Sequence, residues 1–282
     1  MTSQIPKTFH IFYHPSNKRA ISWAVQINTF VKKKFPDLRN DSKNPEVVIV
    51  LGGDGTILEA ARKYHELGSV ILGLNLGNVG FLASVRDEKD FLRSLENFFK
   101  GKCGIIERMM LSAKVKRKNK TIFNTEALNE VVIKNPLGMV ELEAHVSDHP
   151  VQHIRGSGLL VATATGSTAY NLSAHGPIVM PDIKCLIITE ILDHSIPSPS
   201  LVVKYNSTIN ITVVSYRERG LISLSKTLRL GSRQAGHKVD VLLIADGESI
   251  FPLEEKDEVI VTSSPHLVKF AELEKNYFFK SL

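Results

Sequence analysis

The stretch Glu46-Val-Val-Ile-Val-Leu-Gly-Gly-Asp-Gly-Thr56 decides the fold of the first part of this chain. Its run of Val, Ile and Leu is typical of a buried parallel strand, and the run ends abruptly at Gly52-Gly-Asp-Gly55. From Ile57 to His65 the apolar side chains recur at the spacing of one helix face, with Thr56 as the predicted cap and Gly68 just beyond the end. The pattern therefore predicts a strand-to-helix corner, which is where ligands usually bind in an open α/β sheet.

The glycine loop at this corner indicates phosphate chemistry. Glycines let backbone N–H groups approach phosphate oxygens closely, and the start of a helix favours negative charge. Asp54 is the only ionisable residue of the loop. Because a carboxylate would repel phosphate, we interpret Asp54 as a base or a metal ligand and the segment as a phosphoryl-transfer site. An ordinary Gly-Asp turn is the alternative, and neither Walker A nor Gly-x-Gly-x-x-Gly is present here.

Composition favours a globular protein of one large or two modest domains. The chain has 282 residues, 43% of them hydrophobic and 23% charged. The net charge of +6 is spread out, and its densest cluster, Lys114–Lys120, predicts a hairpin turn. We therefore expect no nucleic-acid partner, whereas polyanionic small molecules are compatible. Cys103 and Cys185 fit neither a disulfide framework nor a zinc site, which indicates a cytoplasmic protein. The polar start, Met1–Lys7, predicts no signal peptide, and no membrane segment is expected.

The hydrophobic period divides the chain into two parts. An α/β domain with a Rossmann-like parallel sheet is predicted for residues 1–105, an all-β, sandwich-like domain for 106–265, and a tail at 266–282 that returns to the first domain. The predicted elements of the first part are strands 8–13, 46–51 and 70–75, helices 18–34, 56–67 and 87–100, and a second glycine loop at 76–81. The predicted strands of the second part are 111–115, 126–133, 140–146, 159–163, 185–191, 201–205, 209–214, 221–224, 239–244 and 258–262.

Two polar segments interrupt the strands of the second part. In the first, Thr165–Ser173, a hydroxyl-rich Gly turn leads into a short helix that Ser167 and Thr168 are predicted to cap, and Tyr170 offers a flat ring to a base. The second is Asn129-Glu130, which can hydrogen-bond a sugar diol or a purine edge. The alternatives are an ordinary capped helix and a polar pair on the solvent face of a strand.

Taken in order along nearly the whole chain, these segments resemble the NAD kinase family. Gly-Gly-Asp-Gly alone is weak, because diacylglycerol-type lipid kinases and phosphofructokinases also carry it, but Thr-Gly-Ser-Thr-Ala-Tyr is far more specific. The resemblance rests on Gly52–Thr56, Asn75–Phe81, Asn129–Ile133, Thr165–Ser173, Asp193–Ser195 and Ala245–Glu248.

The resemblance implies phosphoryl transfer from ATP or polyphosphate to the 2′-hydroxyl of the adenosine ribose of NAD, giving NADP. It implies that Asp54 is the catalytic base and that Mg²⁺ or another divalent metal assists, with no protein side chain assigned as its ligand. It also implies a homo-oligomer, a dimer or tetramer. The implied nucleotide-binding residues are Gly52, Gly53, Asp54, Gly55, Phe81, Asn129, Glu130, Arg155, Ser157, Thr168, Ala169, Tyr170, Asn171, Leu172, Ser173 and Glu248.

Two departures and two rival functions accompany this resemblance. Ser157 stands where the family usually has Asp, at the expected nicotinamide end of the site, and the alternative is that it only completes a tight Gly-Ser-Gly turn. His175 stands where the family usually has Gly. The rivals are a diacylglycerol-type lipid kinase, which would need an acyl cavity, and a non-catalytic dinucleotide sensor, which would not need Asp54.

Overall fold

A computed structural model describes residues 6–77, 80–193, 198–217, 222–223, 238–273 and 278–279 of the chain. It divides into two units, one formed by Met1–Arg108 with His266–Leu282 and the other by Met109–Pro265. The described helices are α1 Lys18–Lys34, α2 Asp54–Tyr64, α3 Phe91–Phe99 and α4 Tyr170–Ser173. The described strands are β1 Thr8–Tyr13, β2 Arg39–Asn40, β3 Val47–Gly52, β4 Val70–Asn75, β5 Gly104–Arg117, β6 Lys120–Ala127, β7 Glu130–Lys134, β8 Val140–Val146, β9 His149–Thr163, β10 Cys185–Asp193, β11 Leu201–Lys204, β12 Ile209–Tyr216, β13 Ile222–Ser223, β14 Lys238–Val239, β15 Val241–Ala245, β16 Ser249–Leu253 and β17 Glu258–Glu272.

The first unit is built on a parallel sheet. Its strands lie in the order β4-β3-β1-β2, and the end of β17 pairs parallel to β4 on the outer side. Every residue of β3 is buried, as expected for a strand covered on both faces. Helix α1 buries Ala20, Ala24, Ile27 and Val31, one stripe at helical spacing, and the side chain of Asn17 caps it by accepting the N–H of Ala20 at 3.1 Å.

The second unit is built from antiparallel ladders. Strand β9 pairs with β7, β8 and β10, while β15 joins β7 to β16 and β12 joins β8 to β17. Strands β5 and β6 form a hairpin whose turn residues, Lys118 and Asn119, both have positive φ. The predicted fold class, a parallel α/β part followed by a strand-rich part, is confirmed, and so is the hairpin turn at Lys114–Lys120.

Several element boundaries differ from the prediction. Strands β5, β9 and β17 have 14, 15 and 15 residues, whereas the sequence predicted runs of five, because a long strand changes its surroundings along its length. The predicted single strand 126–133 is two strands, β6 and β7, separated at Leu128-Asn129. The helix predicted for 87–100 begins as a 3₁₀ turn at Glu88–Asp90 and becomes α-helical at Phe91. Among the described residues, no helix is both long and apolar enough to cross a membrane.

Candidate functional site

The two glycine loops of the first unit lie side by side. Strands β3 and β4 are in register, with Gly52 opposite Asn75, so both strands end at the same edge of the sheet. The main chains approach so closely that a Cβ on Gly77 would lie 3.4 Å from the Cα of Gly53. The two loops therefore meet through main-chain atoms at this edge.

Asp54 links these two loops. It is the first residue of α2 and is half-buried. Its Oδ2 accepts the N–H of Phe81 at 2.8 Å, and its Oδ1 accepts the N–H of Leu82 at 3.3 Å. A Cβ on Gly80 would lie 2.1 Å from Oδ1, so only glycine leaves room for the carboxylate at this position. The second loop therefore orients the carboxylate of Asp54 through main-chain contacts.

The predicted cap of α2 is wrong. The helix begins at Asp54, its N-cap is Gly53, and no side chain caps it. Thr56 lies in the first turn, where its N–H bonds to the carbonyl of Gly53 at 3.0 Å and its side chain fills the space beside Gly52. A helix start without a side-chain cap leaves N–H groups of its first turn available to an anion.

A polar corner at Leu128–Glu130 lies at the start of β7 in the second unit. Asn129 and Glu130 are both buried, each 8% exposed, which excludes the alternative of a solvent-facing polar pair. The main chain of Asn129 accepts the N–H of Thr163 at 2.9 Å, and a Cβ on Gly166 would lie 2.1 Å from its carbonyl oxygen. The corner is therefore packed directly against the segment that begins at Thr165.

Asp246 holds this corner in place. It lies in the Ala245–Glu248 segment of the resemblance, but the sequence did not predict it as a site residue. Its Oδ2 accepts the N–H of Leu128 at 2.8 Å, and its Oδ1 accepts the N–H groups of Asn129 and Glu130 at 2.8 and 3.2 Å. Its own N–H donates to the carbonyl of Glu130 at 3.1 Å. The available signals were that segment and the Asp246-Gly247 turn between two strands, where both residues have positive φ. A turn signal alone does not reveal which distant N–H groups a side chain reaches.

The segment Thr165–Ser173 is a 3₁₀ turn followed by the short helix α4. Neither Ser167 nor Thr168 caps that helix, contrary to prediction, because Ala169 is its N-cap and no side-chain bond is made there. Ser167 is fully buried and bonds to the carbonyls of Ala164 and Val179 at 2.7 and 3.1 Å. Thr168 and Ala169 are half-buried.

Asn171 is a structural residue of this segment rather than a ligand-facing one. Its side chain is fully buried; its amide donates to the carbonyls of Ser167 and Pro177 at 3.2 and 3.0 Å and accepts the hydroxyl of Thr189 at 2.8 Å. Leu172 and Ser173 beside it are exposed. His175 has φ +61, a left-handed conformation that explains why glycine suits this position.

The carboxyl of Glu130 has an unusual electrostatic environment. Desolvation by burial, and then the negative charge of Asp246, raise its pKa from 4.5 to about 8, partly offset by a hydrogen bond from the N–H of Tyr170. Its Oε2 is buried and has no hydrogen-bond partner. The ring of Tyr170 is half-buried, and the ammonium of Lys134 lies over it, 5.4 Å from the ring centroid.

The structure does not bring every predicted residue of the second unit to one surface. Glu130 and Lys134 pair with Ala162 and Gly158 on β9. Ser157 directly precedes Gly158, so strand alternation directs its side chain to the opposite face of the sheet. Arg155 lies on that opposite face and is exposed, with its Nε 3.9 Å from Glu141. Ser157 lies inside β9, so the alternative of a tight Gly-Ser-Gly turn is wrong.

The remaining predicted residues, Glu248, Gly55 and Phe81, differ in their exposure. Glu248 is exposed in the β15–β16 turn, and Gly55 is exposed in the first turn of α2. Phe81 is half-buried, with its ring centroid 6.1 Å from that of Phe278. Two of the resemblance segments are only partly described: Asn78 and Val79 of Asn75–Phe81, and His194 and Ser195 of Asp193–Ser195, lie outside the described residues.

Family models match both parts of the chain. Residues 10–103 match the ATP-NAD kinase N-terminal domain, and residues 128–231 match the ATP-NAD kinase C-terminal domain. The NAD kinase of Caldanaerobacter subterraneus subsp. tengcongensis is 34% identical over 239 residues, which are 84% of this chain and 77% of that protein. The NAD kinase of Clostridium tetani is 37% identical over 239 residues, 84% of this chain and 78% of that protein.

Two solved structures have a similar fold. A yeast NADH kinase complexed with NADH superposes with a TM-score of 0.82 at 20% identity, covering 99% of this chain and 87% of that one. An Archaeoglobus fulgidus NAD kinase in complex with ATP superposes with a TM-score of 0.74 at 21% identity, covering 98% of this chain and 96% of that one. At these identities the two structures establish the likeness of the fold.

Proposed function

Because this chain belongs to the NAD kinase family, we propose that it transfers the γ-phosphoryl group of ATP to the 2′-hydroxyl of the adenosine ribose of NAD, making NADP. The observation that carries this proposal is the carboxylate of Asp54, held by two N–H groups at a glycine-lined strand-to-helix corner. The diacylglycerol-type lipid kinase is not favoured, because both domain models and the curated relatives are those of NAD kinases.

Asp54 is proposed as the general base. A ribose hydroxyl is a poor nucleophile, so a positioned base must accept its proton as the bond to phosphorus forms. Each oxygen of Asp54 accepts one main-chain N–H and retains a second lone pair for this purpose. The contacts to Phe81 and Leu82 fix the direction of those lone pairs. A sensor that only bound the dinucleotide would have no need for this arrangement.

The phosphate chain of the nucleotides is proposed to bind along Gly52, Gly53 and Gly55. The absence of a side-chain cap on α2 and the close approach of the second loop support this, since both present main-chain N–H groups to phosphate oxygens. Carboxylate and phosphate oxygens are the ligands that Mg²⁺ prefers, so Asp54 suits a divalent ion bound with the phosphates. Such an ion would neutralise charge on the transferring phosphoryl group.

The second unit is proposed to recognise the dinucleotide. Glu130 supports this role because one of its oxygens is buried without a partner, although buried polar atoms are normally satisfied. Asn129 adjoins it at the corner, and the ring of Tyr170 offers a face for stacking. Thr168 and Ala169 are proposed to complete this surface, whereas Asn171 supports it from inside.

Further proposals concern the donor, the assembly and the compartment. Polyphosphate is proposed as an alternative donor, since main-chain N–H groups recognise phosphate rather than a base. We propose a cytoplasmic homo-oligomer, a dimer or tetramer. Cys103 and Cys185 are free thiols, which agrees with a reducing compartment.

One coupled assay tests the central proposal. The protein is incubated with NAD, Mg²⁺ and either ATP or polyphosphate, and NADP is detected with an NADP-specific dehydrogenase. We expect NADP to accumulate with ATP in proportion to enzyme concentration, and a diacylglycerol substrate to give no turnover. Failure to form NADP with either donor would refute the proposed function.

A further inference from the structure

The corner at Leu128–Glu130 contains two acidic side chains with opposite surroundings. The carboxylate of Asp246 accepts three main-chain N–H groups, at 2.8, 2.8 and 3.2 Å. Hydrogen bonds of this kind stabilise the charged form of a carboxyl group. Asp246 is therefore the partner that keeps the negative charge.

Glu130 lacks such stabilisation. The residue is 8% exposed; its carboxyl accepts the N–H of Tyr170 and leaves Oε2 buried with no partner. In the part of the chain that the structure describes, no cation forms an ion pair with it; Lys134, on the same strand, lies over the Tyr170 ring. An anion buried without a counter-charge is strongly disfavoured, so the neutral acid has the lower free energy here.

The titratable groups on the elements around Glu130 agree with this assignment. The β15–β16 turn brings Asp246 and the exposed Glu248, both acidic, and α4 brings the phenol of Tyr170. Strand β9 presents the apolar Ala162 opposite Glu130. Burial and the charge of Asp246 hold the pKa of Glu130 at about 8, so at pH 7 most molecules carry the proton.

We propose that Glu130 meets the dinucleotide as a neutral carboxylic acid whose O–H donates a hydrogen bond to a ribose oxygen, and that Asp246 is the positioning residue that both shapes the corner and keeps that proton in place. This rests on the proposed function, because it takes NAD as the ligand. NAD binding then requires that the carboxyl group of Glu130 be protonated in the free protein.

Calorimetric titration of NAD at pH 7 and pH 9 tests the proposal. The protonated fraction of Glu130 falls from about nine-tenths to about one-tenth over this range, so the dissociation constant of the wild type should rise about tenfold. Glu130→Gln, a permanently neutral donor, should match the wild type at pH 7 within about threefold and show no loss at pH 9. Glu130→Ala should bind weakly at both pH values.

Glu190→Gln is the matched control. Glu190 is also buried, at 9% exposed, with one oxygen lacking a partner and the other accepting the N–H of Ser198 at 3.1 Å. This variant should keep the wild-type pH dependence of NAD binding. The proposal is overturned if wild-type affinity stays flat or increases towards pH 9, or if Glu130→Gln is as weak as Glu130→Ala at pH 7.

A measurement without ligand separates this proposal from the proposed function. The ¹³C resonance of the Glu130 carboxyl, assigned by comparison with Glu130→Gln, should titrate near pH 8 in the free protein, and Asp246→Asn should lower that midpoint. A purely structural role for Asp246 would reduce stability without moving the midpoint. A Glu130 midpoint near 4.5 overturns the proposal even if NADP is formed. If the wild type binds no NAD at either pH, the proposed function fails and the ligand half of this proposal fails with it.

Discussion

Replacing Asp54 by Asn perturbs both the proposed chemistry and the contact between the two glycine loops. In the wild type each carboxylate oxygen accepts one N–H, from Phe81 at 2.8 Å and from Leu82 at 3.3 Å. An asparagine has one oxygen and one NH₂ group, so one of these N–H groups would face a donor. The variant loses the proton acceptor and one of its two positioning contacts.

The size of the effect follows from these two losses. A positioned general base contributes roughly 10²–10⁴-fold to the rate, which corresponds to about 2.7–5.5 kcal/mol of transition-state stabilisation. Loss of the hydrogen bond from one of these N–H groups to the charged carboxylate costs about 1.5–3 kcal/mol more, largely because the ordered conformation of the second loop is destabilised. We therefore expect kcat to fall at least a hundredfold while the affinity for NAD, measured by calorimetry, changes little.

The assay is the NADP-specific coupled reaction with saturating ATP and Mg²⁺. Asp41→Asn serves as a control, because the Oδ1 of Asp41 also accepts two main-chain N–H groups, from Lys43 and Asn44 at 2.8 and 3.1 Å, in an exposed turn. That variant should keep the wild-type kcat. If Asp54→Asn retains more than about a tenth of the wild-type kcat, the assignment of Asp54 as the base is wrong.

Gly80→Ala tests the positioning of the carboxylate without changing its chemistry. The new Cβ would lie 2.1 Å from the Oδ1 of Asp54, so the carboxylate must move. Because misplacing a catalytic group by about 1 Å can cost about a hundredfold, we expect a loss of kcat in this range. Wild-type activity in Gly80→Ala would show that the contact with the second loop is not needed for catalysis.

Three further predictions concern stability. Gly166→Ala places a Cβ 2.1 Å from the carbonyl oxygen of Asn129. Urea denaturation should therefore show a free energy of unfolding lower by about 1–3 kcal/mol, together with weaker NAD binding. A wild-type denaturation midpoint would contradict the packing described for this corner. Arg117→Ala removes the two hydrogen bonds, at 2.8 and 2.7 Å, that Arg117 donates to the fully buried Asp257. The free energy of unfolding should fall by about 3–5 kcal/mol with kcat unchanged. A loss of kcat at full stability would refute a structural role. Folding raises the pKa of Glu130 from 4.5 to about 8. The stability of the wild type should therefore fall relative to that of Glu130→Gln as the pH rises from 4.5 to 8, by on the order of 3–5 kcal/mol. Parallel pH profiles of stability for the two proteins would refute this.

Much of the first unit is encoded locally and could be predicted. The helix predicted for residues 18–34 matches α1 at both ends, because Asn17 caps its start and one apolar stripe runs through it. Strand Val70–Asn75 is also as predicted. These elements were accessible because a period of 3.6 or an unbroken apolar run, bounded by a cap or by glycines, is a property of neighbouring residues.

Where a local signal had two outcomes, the sequence could not choose between them. Thr56 and Ser167 both stand where a cap residue often stands, yet in the fold Thr56 packs beside Gly52 and Ser167 bonds to the carbonyl of Val179. A hydroxyl bonds to whichever polar group the fold brings near, and that group is not always the next turn of the same helix.

By itself the sequence determined the order of the elements, the glycine-lined corner with its single carboxylate, and the family. Only the tertiary structure decided what surrounds each side chain of the candidate site. Glu130 could equally have faced water, but the fold buries it, and Asp246, 116 residues later in the chain, reaches the N–H groups that shape its corner. The strand pleat likewise separates Ser157 from Glu130, although both lie on paired strands. Hydrophobic periodicity reports whether a residue meets water or apolar neighbours, whereas burial of a charge and the partners of a hydrogen bond depend on which distant segments pack against it.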